Sequence, residues 1–418
     1  MNLITRQTCR ICGNPHLEPV LDLGEQYLQG VFVRPSQPSP PLRKVPTQIV
    51  WCNPTKFENG CGLVQMKHTV PPEILYNSYF YRSGISRTMR DHLEEIANTI
   101  QSLINVKGKF VVDIGANDMT MLNYFPKNCK RIGIDPSDVT SKVKTTKIRV
   151  INEAFPSAEL TGFLRGDLVH VFLSIAMMYD LENPVRFINE IRDMLAIDGV
   201  WVFEMAYLPS ILKNLTYDTI VSEHLELYSL SVIENMLKRS GLKIFKAELN
   251  ESNGGSLRGY VTHHNNYKYG DKKDAQFINY LRQMEFDLEL DTIKPYEEFT
   301  HKVNTHKQEL VRLLTSLKSK GKRIHLLGAS TKSMALFQFC GIDTRIIDCA
   351  AERDVEKHGC KTLGTNIPIV SEETSRSMKP DYYLVGPYHF KDELLERERD
   401  ALASGVRFIF PLPKIDII

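Results

Sequence analysis

Long apolar runs, charge of one sign and a dinucleotide fingerprint are all missing from this sequence, and each absence removes a class of function. No apolar run approaches the roughly 18 residues that a membrane span requires. The opening MNLITRQTCRICG lacks the charged-then-apolar order of a secretory leader. A cytoplasmic chain with no membrane partner is therefore expected. The 52 basic residues stand against 50 acidic ones, a net charge of +2, which gives no electrostatic footprint for a phosphate backbone. A nucleic-acid partner is not expected either. The pattern G-x-G-x-x-G is absent at the first glycine turn, where Gly115 is followed by Ala116 and Asn117, and this counts against a dinucleotide ligand.

What is present begins with length: 418 residues are too many for one core, so two or three domains are expected. Eight cysteines in a reducing compartment read as metal ligands where they pair closely, not as disulfides. Cys9 and Cys12 form a C-x-x-C, and Cys52 and Cys61 supply a second pair. Four thiolates can close a tetrahedral structural zinc site and hold a segment too small for its own core. His16 and His68 stand nearby as substitute ligands. Residues 1–80, with the stretch VRPSQPSPPLRK, read as an irregular zinc-stapled module.

From Thr88 to about Ile104 apolar residues recur at helical spacing. Strand and helix patterns then alternate from GKFVVDIGAND to LKIFKAELN, the pattern of a doubly wound parallel sheet. The fold class expected is α/β, with a Rossmann-like domain over residues 81–265. A charged helical stretch follows, and then a second strand-turn-helix series from RIHLLGASTKS to VRFIFPLP. Residues 266–418 are thus expected to hold a helical linker and a second α/β domain.

Five stretches carry chemistry. In VVDIGANDM, Asp113 ends a strand before the turn at Gly115 and Asn117, and Asp135 follows in RIGIDPSD; a spacing of about twenty residues suits a methyltransferase or a nucleotide fold. In SIAMMYDLENP, Met177 and Met178 read as core or pocket wall. In DTIVSEHLELYS, Glu223 lies beside His224, which reads as an acid/base pair, as two metal ligands or as a polar corner. In SNGGS, the run Asn253, Gly254, Gly255 reads as a bulge, a hairpin turn or a close approach to ligand. A second glycine turn, HLLGASTKS, opens a helix. There Gly328 lets backbone approach a ligand, Ser330, Thr331 and the helix start face an anion, and Lys332 adds a positive charge.

In this order, CRICG, L-x-L-G-x-Q, CGLVQ, YFYRSGIS, VVDIGAND, YDTI-x-x-EH, NGGS, GAS-x-K, GTNIPI and FPLP resemble the sugar C-methyltransferases that act on nucleotide-linked keto-deoxysugars. The resemblance runs through nearly the whole chain. It implies an N-terminal zinc module, a central class I methyltransferase domain and a C-terminal domain that helps hold a nucleotide-diphosphate sugar. It implies zinc on Cys9, Cys12, Cys52 and Cys61, and S-adenosylmethionine around Asp113, Gly115, Asn117 and Asp135. His224 is the implied base and Glu223 its polariser, with Tyr79 and Tyr81 approaching the sugar. A monomer is the favoured state.

The chain departs from the family pattern in three places: Val221 stands where several relatives have a tyrosine, the stretch Ala176, Met177, Met178 replaces a segment that carries a histidine in some relatives, and Met119 stands where a glycine is often found. Val221 cannot donate to an enolate oxygen, which leaves Tyr79, Tyr81, Ser222 or Asn253 for that task. The expected reaction is methylation of a carbon beside the ketone of a 4-keto-deoxysugar, at C3 before C5. O-methylation of a nucleotide sugar, or a non-catalytic zinc-containing binding protein, are the alternatives.

Overall fold

The computed structural model describes residues 3–35, 43–58, 60–75, 80–145 and 147–418. The N-terminal segment is more regular than its prolines suggest. β1 (Leu17–Tyr27), β2 (Lys44–Cys52) and β3 (Val64–Met66) form an antiparallel sheet. Register shifts between Pro19 and Leu21 and between Asp22 and Glu25 break the alternation that would have announced β1 in the sequence.

Apolar, β-branched runs buried on both faces make the central sheet. β4 (Phe110–Ile114), β5 (Lys130–Ile134), β6 (Arg149–Ile151), β7 (Val169–Ile175) and β8 (Leu195–Ala206) are parallel. The chain then sends a short strand, β9 (Glu226–Leu227), back to pair with Val64 and Gln65 of β3. It completes the central sheet with β10 (Leu242–Asn250) and β11 (Ser256–His263), and β11 is antiparallel to its neighbours. The spatial order is β10-β11-β8-β7-β4-β5-β6, the seven-stranded arrangement of class I methyltransferases.

Two helices, Lys272–Asp287 and Lys294–Ser319, lead to the C-terminal sheet. Its strands are β12 (Ile324–Leu327), β13 (Ala350–Glu352), β14 (Ile369–Ser371), β15 (Tyr382–Val385), β16 (Arg407–Phe410) and β17 (Asp416–Ile417). They are ordered β14-β13-β12-β15-β16-β17, parallel except for β17. The N-terminal module also reaches this domain, because Phe32 and Val33 pair with Thr362 and Lys361. Among the described residues no helix is long and apolar enough to cross a membrane.

Candidate active site and metal centre

In an open α/β sheet a crevice forms beyond the strand ends where the strand order reverses. That point lies between β4 and β7 in the central sheet, and between β12 and β15 in the C-terminal one. Residues from both points wall a single cavity of about 720 Å³, within the usual range for ligand sites. Asp113 lies at the end of β4 and Gly115 follows it, Asp135 follows β5, and Met177 and Tyr179 follow β7; Lys332 and His389 come from the C-terminal domain.

The half around β4 is acidic. Gly115 has φ +76°, and a Cβ there would stand 2.9 Å from Met177 Cγ, so the turn stays open only with glycine. Asp135 accepts from the backbone N–H of Asn117 at 3.0 Å and of Ser137 at 2.7 Å, which fixes the carboxylate on the cavity wall. Burial, then the charges of Asp135 and Asp118, push the Asp113 carboxyl well above its ordinary range. Two acids around an open glycine turn suit a ligand that brings positive charge and ribose hydroxyls, and S-adenosylmethionine has both. Asn117 contributes its backbone, since its side chain is engaged elsewhere: its amide donates to the Tyr81 carbonyl at 3.0 Å and its oxygen accepts from Ser83 N–H at 3.1 Å.

The same wall holds Glu223 and His224. His224 Nδ1 lies 2.7 Å from the Thr219 carbonyl, so Nδ1 carries the proton and Nε2 keeps its lone pair. Tyr179 packs on the imidazole with ring centroids 4.2 Å apart. The carbonyl thus occupies Nδ1, where the expected polariser would bind, and no hydrogen bond joins Glu223 to the ring among the described residues. Burial raises the Glu223 carboxyl to about 7. Burial and then the Lys332 charge lower His224 to about 3.

Other expectations meet the structure unevenly. Tyr81, Asn253, Ser330, Thr331 and Lys332 line the cavity, whereas Tyr79 lies outside the described residues. Ser222 is unfit as an enolate donor, because its hydroxyl and its N–H both bond Gln29 Oε1, at 3.0 and 3.1 Å. Ser330 is spent as a helix cap, accepting from Ser333 N–H at 3.1 Å. Gly254 and Gly328 sit behind the wall. A Cβ would meet Thr216 Cγ2 at 2.8 Å in the first case and Pro387 Cδ at 2.6 Å in the second, so both serve packing and not ligand approach.

Glu204, Tyr179 and His389 line the cavity and were missed in the sequence. Glu204 is 2% exposed and ties His92, Arg258 and Asn250 together at 2.6, 2.8 and 2.9 Å. Its one signal was an acid at a strand end inside an apolar run. Nothing local distinguishes His389.

The four thiols of Cys9, Cys12, Cys52 and Cys61 have their sulfurs within 4.8 Å of one another. A tetrahedral zinc with bonds of about 2.3 Å separates its sulfur ligands by roughly 3.8 Å. Here Cys9 to Cys61 and Cys12 to Cys52 are 3.5 Å, and Cys52 to Cys61 is 3.8 Å. The donor set and the spacing both fit the ion. Asn14 donates to Cys52 Sγ at 3.2 Å, an outer contact that suits a thiolate. His16 and His68 stay outside the group.

Three family models match the chain in succession: a zinc binding domain at residues 9–76, a methyltransferase domain at 81–247 and a C-methyltransferase C-terminal domain at 251–413. The C-methyltransferase NovU of Streptomyces niveus is 25% identical over 415 residues, spanning 98% of this chain and 96% of its own. Among solved structures, the mitomycin 7-O-methyltransferase MmcR is 15% identical over 42% of this chain and 54% of its own, with TM-score 0.34. The magnesium protoporphyrin IX methyltransferase ChlM of Synechocystis PCC 6803, solved with bound SAM, is 10% identical over 42% and 79%, with TM-score 0.32.

Proposed function

From the premise that the chain belongs to the C-methyltransferases, S-adenosylmethionine-dependent enzymes with a zinc-binding domain, we propose that its acceptor is a nucleotide-linked 4-keto-deoxysugar. We propose further that the methyl is added to the carbon beside the ketone, at C3 before C5. The observation that carries this reading is the neutral imidazole of His224 on the cavity wall. Its Nδ1 is committed to Thr219 and its Nε2 is free to take a proton.

Carbon becomes a nucleophile only when a neighbouring carbonyl can hold the charge left by a departing proton. His224 takes that proton. Glu223, carrying a charge above about pH 7, favours the imidazolium as it forms. Tyr179 and Thr219 hold the ring in one orientation, so the base costs little reorganisation. When bound, S-adenosylmethionine supplies an electrophilic methyl group; Asp113, Gly115 and Asp135 would hold it, with the backbone of Asn117. Asn253, Thr331 and the start of the helix Thr331–Cys340 are assigned to the nucleotide sugar, whose diphosphate suits free helix N–H groups. The cysteine cluster would hold zinc, a structural ion at a distance from the chemistry.

The test is incubation with S-adenosylmethionine and a panel of nucleotide 4-keto-deoxysugars, with the new carbon located by NMR. The expected product carries a methyl on the carbon next to the ketone. A methyl found on oxygen would sink this reading and leave O-methylation in its place.

A further inference from the structure

A base alone does not make an enolate, because the oxygen that receives the charge needs a partner. Val221 is buried and apolar on the cavity wall, and Ser222 is committed to Gln29. Among the described residues Lys332 is the only lysine or arginine on that wall, which also carries Asp113, Asp135, Glu204 and Glu223. A single cation among acids is a poor clamp for a diphosphate, which is usually met by several donors.

Its neighbours say where it is aimed. The Lys332 ammonium makes one hydrogen bond among the described residues, to the Asn253 carbonyl at 2.7 Å, leaving two N–H groups for a ligand. Asn253 holds that carbonyl from a left-handed conformation, φ +56°. The carboxylate whose field Lys332 feels is Asp218, buried and bonded to Tyr388 Oη at 3.0 Å. The next residue, Thr219, is the one that pins His224. Both belong to the single turn Tyr217–Thr219, so the acid that attracts the ammonium and the carbonyl that holds the imidazole are adjacent in the chain. Lys332 is also the charge that, after burial, depresses both His224 and His389.

We propose that Lys332 binds the ketone oxygen of the acceptor and stabilises the enolate, an inference that rests on the keto-sugar reading above. The C–H bond breaks and its proton passes to His224 Nε2. The electron pair forms the carbon–carbon double bond, and the carbonyl π pair moves to the oxygen beside Lys332. Return of that pair drives formation of the new carbon–methyl bond. The sulfur–methyl bond breaks, S-adenosylhomocysteine leaves, and His224 later yields its proton to water. Lys332 thereby moves from the diphosphate, where the sequence pattern assigned it, to the reacting centre.

The experiment uses the full chain with Lys332→Met, Lys332→Gln and Lys332→Arg. Four quantities are measured: deuterium exchange beside the ketone without methyl donor, methyl transfer at saturating substrate, calorimetric affinity for thymidine and uridine diphosphates, and thermal unfolding. Met and Gln are expected to lower exchange and transfer together by about 10²–10³. Diphosphate affinity and thermal unfolding should stay near wild type, and Arg should recover part of the rate. If Met fails to fold, Gln carries the measurement. Exchange at the wild-type rate in a folded variant would overturn the proposal, as would a tenfold loss of diphosphate affinity with exchange intact. A wild type that transfers methyl groups but exchanges no proton beside any ketone would overturn the keto-sugar reading instead.

Discussion

Glu223→Gln should make the ligand-free protein more stable at pH 8 and leave it unchanged at pH 4.5. Burial raises this carboxyl to about 7 from an ordinary 4.5. Between those two values the folded chain holds a proton that the unfolded chain has released. Stability therefore falls as pH rises through that window, and the penalty is complete above about 7. At about 1.4 kcal/mol for each pH unit of difference, the full penalty is about 3 kcal/mol. The glutamine is never charged and escapes it, less what its amide loses by burial. At about 2–4 °C per kcal/mol for a domain of this size, the midpoint should rise by roughly 5–10 °C at pH 8. His224 is depressed to about 3, so its own penalty appears only as pH falls below its ordinary 6.5. That penalty is the same in both proteins and cancels in the comparison. The assay is thermal unfolding of the two proteins side by side at pH 4.5 and 8. A gap of equal size at both pH values, or no gap, would refute the claim that a desolvated charge is the cause.

His224→Asn should abolish both methyl transfer and deuterium exchange beside the ketone, a loss of about 10²–10⁴, with S-adenosylmethionine affinity unchanged by calorimetry; normal exchange would assign the base elsewhere. Purified protein should contain about one zinc per chain, and Cys9→Ser should lose it and expose residues 3–75 to protease; a metal-free chain that resists digestion would remove zinc from the fold. Met119 has φ +65° and packs its sulfur where a Cβ on Gly133 would come within 2.1 Å. Met119→Gly relieves about 1 kcal/mol of left-handed strain but leaves a cavity worth about 2–5 kcal/mol, so denaturant unfolding should show net destabilisation of about 1–4 kcal/mol. An equal or higher midpoint would mean that strain outweighs packing at this position.

The parts of the site that depend on local order were legible in the chain. Asp113, Gly115 and Asp135 are strand-end residues, and their meeting follows from parallel β4 and β5. The cysteine pairs announce themselves by type and spacing. What escaped depends on partners far away in sequence. Thr219 holds His224 through a backbone carbonyl, which every residue has and no motif records. Ser222 is silenced by Gln29, 193 positions earlier. His389 reaches the cavity from the short 3-10 helix Tyr388–Phe390 after β15, in a domain whose docking no periodicity reveals. In β1, Pro19 and Gly24 disguised a strand of 11 residues as irregular chain.

The N-terminal module lends one backbone edge to residues 226–227 and another to residues 361–362. During synthesis its cysteines emerge before either partner, and at about 5–20 residues per second the ribosome needs some tens of seconds to deliver the second of those partners. Throughout that interval the module carries unpaired strand edges, which invite the wrong neighbour. A segment made well before both of its partners is thus finished only after most of the chain has followed it, and early zinc capture would hold it in register while it waits.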